Sequence, residues 1–264
     1  MMKALLYRDI YIIRKNLLIS IGIYTVMSLF GILGILSAKY GNIAKYSPDD
    51  IFPRDVMRAS LYISIVAGVF LACAVEYLYG IIRKDYEIGW NQYQVASGIP
   101  VKCIVGSKYI EAFAICLISL AFSVGGFTIM KRVSGIESTD ILPGIIPDAL
   151  SRHEGMIIIV AVTIVLLVIF DYFSLLEYIY KGKNSEKVDI IMVLPIPIAV
   201  VIFIVGGLLY SANDNFSKML IKIMEYLGNN VVLLYAIPIT VGALLTIICY
   251  TLSVRIVKRE GRQV

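Results

Sequence analysis

Met156–Tyr178 reads MIIIVAVTIVLLVIFDYFSLLEY, with Asp171 and Glu177 its only charges. About 20 consecutive apolar residues are enough to carry an α-helix across the hydrocarbon core of a bilayer. A helix apolar on every face has no polar side to give to water. Five further runs of the same kind surround it: Leu17–Ala38, Ser60–Ile82, Val105–Ile129, Ile190–Tyr210 and Val231–Val254. The reading is an all-α polytopic membrane protein with six transmembrane helices. Composition agrees, since 59% of the 264 residues are hydrophobic, only 16% are charged, and mean hydropathy is +0.84. A soluble domain of this length is less apolar than that. Six spans also consume most of the chain, so residues 1–264 read as one transmembrane domain.

An even number of spans puts both termini on one side. The loops on that side carry 15 Lys and Arg against 9 on the other, which predicts cytoplasmic termini by the positive-inside bias. The net charge of +5 is spread over every loop, a pattern of membrane flanks and not of nucleic-acid binding. Cys73, Cys103, Cys116 and Cys249 are scattered without metal-ligand spacing, and the one histidine, His153, has no Cys or His beside it. No metal site or cofactor is expected.

Ahead of the first span, Met2, Leu5, Leu6, Ile10, Ile12 and Ile13 share one side of a helical wheel, and Lys3, Arg8, Arg14 and Lys15 share the other. This predicts an interfacial helix over 1–16 lying along the cytoplasmic leaflet. Asp9 falls in the apolar stripe. It either snorkels to headgroup water or meets a cationic or polar partner within the protein. Between the last two spans, Phe216, Met219, Leu220, Ile223, Met224 and Leu227 keep helical spacing within 212–229. Asp214 or Asn215 can cap the start, and Gly228 and Asn229 can stop the end. That segment reads as a short amphipathic helix on the outer face. Pro195 and Pro197 in the fifth span and Pro238 in the sixth predict kinks.

The loop within 83–104 is the one polar segment that looks built to be gripped. Asp85 and Glu87 suit a helix N-terminus. Tyr86, Trp90 and Tyr93 then recur at i, i+4 and i+7, which would stack three aromatics on one helical face. With no cytosolic core to bury it, the stripe serves either as a belt at the headgroups or as an anchor set for a partner's groove. Ser97-Gly-Ile-Pro100 breaks the helix before the third span.

Leu6-Tyr-Arg-Asp9, Lys84-Asp-Tyr-Glu-Ile-Gly-Trp-Asn-Gln-Tyr93, the Ser97–Pro100 break, Ser107-Lys-Tyr109 and the basic exit Arg255-Ile-Val-Lys-Arg-Glu260 together carry a family resemblance. The chain resembles permease subunits of ABC-2-type bacterial transporters, above all the small six-span group that includes the phenol-soluble-modulin exporters. The topology covers the whole chain, and the motif similarity mainly residues 84 to 109. The resemblance implies a multi-pass protein of the bacterial cytoplasmic membrane and a pair of permease subunits, identical or related. It also implies a cytosolic ATPase subunit that binds ATP and magnesium in place of this chain. Asp85, Tyr86, Glu87, Gly89, Trp90 and Tyr93 would form the coupling helix that docks on the ATPase. The segment with Asp9, Arg14 and Lys15 would be the elbow helix, and Asp214–Leu227 the outer helix. This chain has no G-x-x-x-x-G-K-[ST] of its own, so it is not expected to hydrolyse ATP.

Acids within the spans are costly, at least ~2.5–3.5 kcal/mol for a charge at the bilayer centre. Glu76 and Asp171 are the deepest. They either pair with a base such as Lys108 or an N-terminal arginine, sit close enough to water, or, with Tyr172, line a substrate cavity favouring cationic or amphipathic cargo. Glu111 and Glu177 lie closer to the interface, where snorkelling is expected. The function that emerges is export of a hydrophobic or amphipathic substrate, a peptide toxin or antimicrobial peptide first. Lipid, drug or polysaccharide-precursor efflux is an alternative. An intramembrane enzyme or a non-transporting immunity or anchor protein is the rival from another class.

Overall fold

A computed structural model describes residues 1–41, 51–135, 154–181, 191 and 214–260 of the chain. Every regular element among them is helical: α1 (Met2–Tyr40), α2 (Ile51–Ala72), a 3-10 turn (Cys73–Val75), α3 (Glu76–Glu87), α4 (Trp90–Ala96), α5 (Val101–Ser134), α6 (Glu154–Tyr180), α7 (Asp214–Asn229) and α8 (Val231–Glu260). Five stretches are long and apolar enough to cross a membrane: Met2–Tyr40, Val56–Glu87, Val101–Ser134, Gly155–Tyr180 and Val232–Arg259. They match five of the six expected spans. The sixth, Ile190–Tyr210 with Pro195 and Pro197, lies outside the described residues except for Ile191, as does His153.

The polarity of the bundle is that of a membrane protein. Leu18, Phe30, Leu33, Phe113, Phe122, Ile129, Leu244 and Ile247 point outward, while Ser64, Ser119, Ser123, Ser174, Ser253, Asp171 and Glu177 are buried. Several buried hydroxyls return their hydrogen bonds to the backbone, as Ser64 does to Leu61 O (2.6 Å) and Ser119 to Gly68 O across helices (2.8 Å). Small residues set the close approaches. A Cβ on Gly68 would sit 1.8 Å from Ser123 Oγ, and one on Gly34 would sit 2.5 Å from Ser60 Oγ. Glycine at these two positions lets α2 lie against α5 and α1. The packing joins α1 to α2, α2 and α1 to α5, and α6 to α8.

Two ends of the bundle can be told apart. At one, Lys39 Nζ of α1 donates to Val133 O in the last turn of α5 (3.0 Å), and Gly135 in the left-handed region (φ 73°) closes that helix. At the other, Ile82, Val105, Tyr109, Tyr178 and Val257 form one apolar cluster. This second end holds the starts of α1 and α5, the α3–α4 turn and the end of α8.

Two expectations change. The segment 1–16 does not form a separate elbow helix, because α1 runs unbroken from Met2 to Tyr40. Nothing at Lys15-Asn16-Leu17 interrupts it: there is no glycine, proline or cap at the junction. At 39 residues it spans about 58 Å, well beyond the ~30 Å hydrocarbon core. Nor does the apolar side of its first turns define its buried face. Leu5, Asp9 and Ile13 are buried, while Ile10 and Ile12 are exposed. The last helix, α8, runs on through Pro238, whose ring lacks an N–H for the carbonyl four residues earlier and crowds it. The helix expected within 212–229 is present, from Asp214 to Asn229, with Asn230 N–H closing on Tyr226 O (3.2 Å).

Candidate functional site

The 83–104 segment is two helix ends and a short helix between them, not one coupling helix. Gly89 takes the left-handed conformation (φ 73°) and terminates α3 through its N–H to Tyr86 O (3.1 Å). Asp85 and Glu87 therefore lie in the last turn of α3, not the first turn of a new helix. Gly98 repeats the device (φ 74°), and Ile99 N–H reaches back to Gln94 O (3.1 Å). Pro100 then stands at the start of α5, where its missing N–H costs nothing.

The break at Gly89 also splits the aromatic stripe. Tyr86 stays on α3 and meets Tyr178 of α6 edge-on at 6.1 Å. Trp90 and Tyr93 stack on each other at 5.2 Å, and the Arg8 guanidinium lies 4.9 Å above the Trp90 ring. Trp90 is half-buried, with its Nε1 sealed from solvent and without a hydrogen-bond partner. Tyr93 and Ile88 are the outward-facing groups, 61% and 72% exposed. On α4 the buried side chains are Asn91 and Gln94.

Behind this turn is a buried cluster of charges drawn from α1, α3 and α5. Arg8 forms a two-pronged pair with Asp85, one bond at 3.1 Å through Nη1 and a second through Nη2. Lys108 Nζ donates to Asp9 Oδ2 at 2.5 Å and lies 3.7 Å from Asp85 Oδ2. Arg8 Nη1 is 3.5 Å from Asp9 Oδ1. Asp9, Asp85, Lys108 and Glu111 are all buried. Asp9 thus meets a cation within the protein and does not snorkel. A neighbouring lock joins α3 to α6: Arg83 donates to Glu177 Oε1 from Nε (2.8 Å) and from Nη2 (2.7 Å). Burial corrects the expectation for Glu111 and Glu177, since both point inward. Glu177 is held there by Arg83, whereas neither oxygen of Glu111 has a hydrogen-bond partner.

Arg14 and Lys15 stay outside the cluster. Both are exposed, and the Arg14 guanidinium lies 3.8 Å from the Tyr11 ring on its own helix. Glu87 is exposed at the end of α3. The side chain of Glu76 lies outside the described set. Asp171 is fully buried and takes a hydrogen bond from Thr246 Oγ1 of α8 (2.5 Å), so its partner is a hydroxyl and not Lys108. Tyr172 is half-buried beside Phe173. A cavity of about 100 Å³ nearby is lined by Ala72, Cys73, Tyr79, Leu166, Ile169, Phe170 and Phe173. Neither Asp171 nor Tyr172 lines it.

The sequence reading missed Arg8, Lys108 and Glu111 as members of one site. A lysine and a glutamate inside the third apolar run are the signal that could have raised them. No protein-family model, curated protein or solved structure gives a significant match to this chain.

Proposed function

We propose that the chain is the membrane-spanning permease subunit of an ABC-2-type exporter, with six spans and both termini in the bacterial cytoplasm. A separate ATPase subunit, carrying ATP and magnesium, drives it, and a second permease copy completes the pathway. The observation that supports this reading most is the α3–α4–α5 turn. Two spans are joined by a short helix bounded by left-handed glycines, Gly89 and Gly98. The turn presents Ile88, just before that helix, and Tyr93, on it, outward, and the end of α3 that leads into it is tied to α1 by Arg8 and Asp85. A surface knob rigidly linked to two spans and to the N-terminal helix can pass a push from a bound subunit into the bundle. The resemblance over residues 84 to 109 names that subunit as an ATPase. The docking residues then shift from the full stripe to Ile88 and Tyr93, with Trp90 holding them in place. The cargo is a hydrophobic or amphipathic peptide, on the resemblance.

Co-expression with the ABC ATPase subunits of the same genome tests it. One ATPase is expected to co-purify with the wild-type chain. Ile88→Ala with Tyr93→Ala is expected to weaken that association by about 2 kcal/mol, roughly 30-fold, while insertion is unchanged. If no ATPase co-purifies, or the double variant keeps both association and ATP-driven export, the reading is wrong.

A further inference from the structure

The charge cluster does not balance. Arg8 and Lys108 bring two positive charges, and Asp9, Asp85 and Glu111 can bring three negative ones. Both oxygens of Asp85 are engaged by Arg8, and Asp9 Oδ2 is engaged by Lys108. What remains is Asp9 Oδ1 and both oxygens of Glu111, each buried and without a hydrogen-bond donor. Glu111 is 3% exposed and stands three residues along α5 from Lys108, on the same helix face, and the Lys108 ammonium is bound to Asp9. Tyr178 of α6 packs edge-on against Tyr86, the neighbour of Asp85, and as a neutral phenol it supplies no positive charge. Two carboxylates this close repel each other unless a proton lies between them. A metal ion is a poor alternative, since hard cations take about six or more oxygens and the Lys108 ammonium already occupies the centre.

We propose that Asp9 and Glu111 together form a binding site for one proton, Glu111 donating its O–H to Asp9 Oδ1. The proton comes from water and no other bond changes. With it, two cations face two carboxylates, and two of the three orphaned oxygens are joined as donor and acceptor, leaving one neutral carbonyl oxygen of Glu111. Without it, a net negative charge is left among side chains that are almost fully buried, and such a charge is strongly unfavourable. Asp9 stands on α1 and Glu111 on α5, so the site exists only while these helices are packed together. Separating them admits water and frees the proton, which links proton binding to the seating of the N-terminal helix. This inference stands on the cluster alone and does not depend on the transport reading.

Infrared spectroscopy of the full chain in lipid nanodiscs tests it through the carbonyl stretch of a protonated carboxylic acid. The wild type is expected to show such a band, shifted by deuterium exchange. Glu111→Gln is expected to delete it while leaving Trp90 emission unchanged, because the amide still offers Asp9 a donor. Glu111→Asp is expected to shift the band without deleting it. Should Glu111→Gln fail to fold, isotope-labelled glutamate in the wild type must move the band, and Glu111→Asp must move it again. Absence of a protonated-acid band overturns the proposal. So does a band that survives Glu111→Gln unchanged, or one that responds to labelled aspartate and not to labelled glutamate.

Discussion

Replacing Lys108 with methionine keeps an unbranched side chain out to the ε position and removes one of the two cations that face Asp9 and Asp85. The Lys108 and Asp9 side chains are 4% and 1% exposed, so solvent does not screen the pair. Breaking a buried pair by deleting one partner costs about 3–5 kcal/mol, because the other charge is left uncompensated. Arg8, 26% exposed at its side chain, can be replaced in part by water. Arg8→Leu should therefore cost less, about 1.5–3 kcal/mol, the range of a hydrogen bond to a charged group. The order Lys108→Met above Arg8→Leu is the distinctive expectation, since a count of hydrogen bonds alone would reverse it. Adding Asp9→Asn to Lys108→Met removes the orphaned charge, and the pair should fall short of additivity by about 1–3 kcal/mol. Unfolding in mixed micelles, followed by the emission of Trp90, the single tryptophan, reads all three variants at the site itself. A Lys108→Met cost under about 1 kcal/mol, or strict additivity in the double variant, would refute the claim that this cluster holds α1 to α5.

Arg83→Leu leaves Glu177 buried without its guanidinium and should destabilise the chain by about 3 kcal/mol or more; Arg83→Leu with Glu177→Gln should recover part of the loss in the same unfolding assay. Gly89→Ala meets no neighbouring atom within 4 Å, so its cost is conformational, about 1–2 kcal/mol for a left-handed residue, and Gly89→Asn should be milder on the same denaturation curve. Cys103, partly exposed at the start of α5, should react with an impermeant maleimide from the cytoplasmic side, and buried Cys116 should not; labelling of Cys103 from outside intact cells would invert the proposed orientation.

Much of the helical layout was legible in the order of residues, for a local reason. A membrane-crossing helix satisfies its backbone hydrogen bonds within itself, so length and hydropathy suffice to find it. The five described spans and the amphipathic helix at Asp214–Asn229 fall where the apolar runs and their caps put them. The breaks at Gly89 and at Gly98–Pro100 were marked by the residues that favour them, although Gly89 was read through as part of one coupling helix. That misreading came from treating the aromatic spacing as continuous across a residue that can turn left-handed at no steric cost.

What tertiary structure alone decided is which charges meet. Arg8 and Asp85 are 77 residues apart, and Lys108 and Asp9 are 99 apart. No local periodicity relates them. Their meeting depends on how closely the helices approach, which glycines and serines such as Gly68 and Ser123 set, and on the rotation of each helix about its axis. Sequence marked Asp9, Glu111 and Glu177 as acids in costly places and left water as a remedy for each. Packing supplied a different remedy, because once the apolar faces turn to lipid the interior is where the cations are. The same rotation buries Asn91 and Gln94 and turns Tyr93 outward, a reversal of the ordinary inside-out order that only the neighbours of a seven-residue helix could impose.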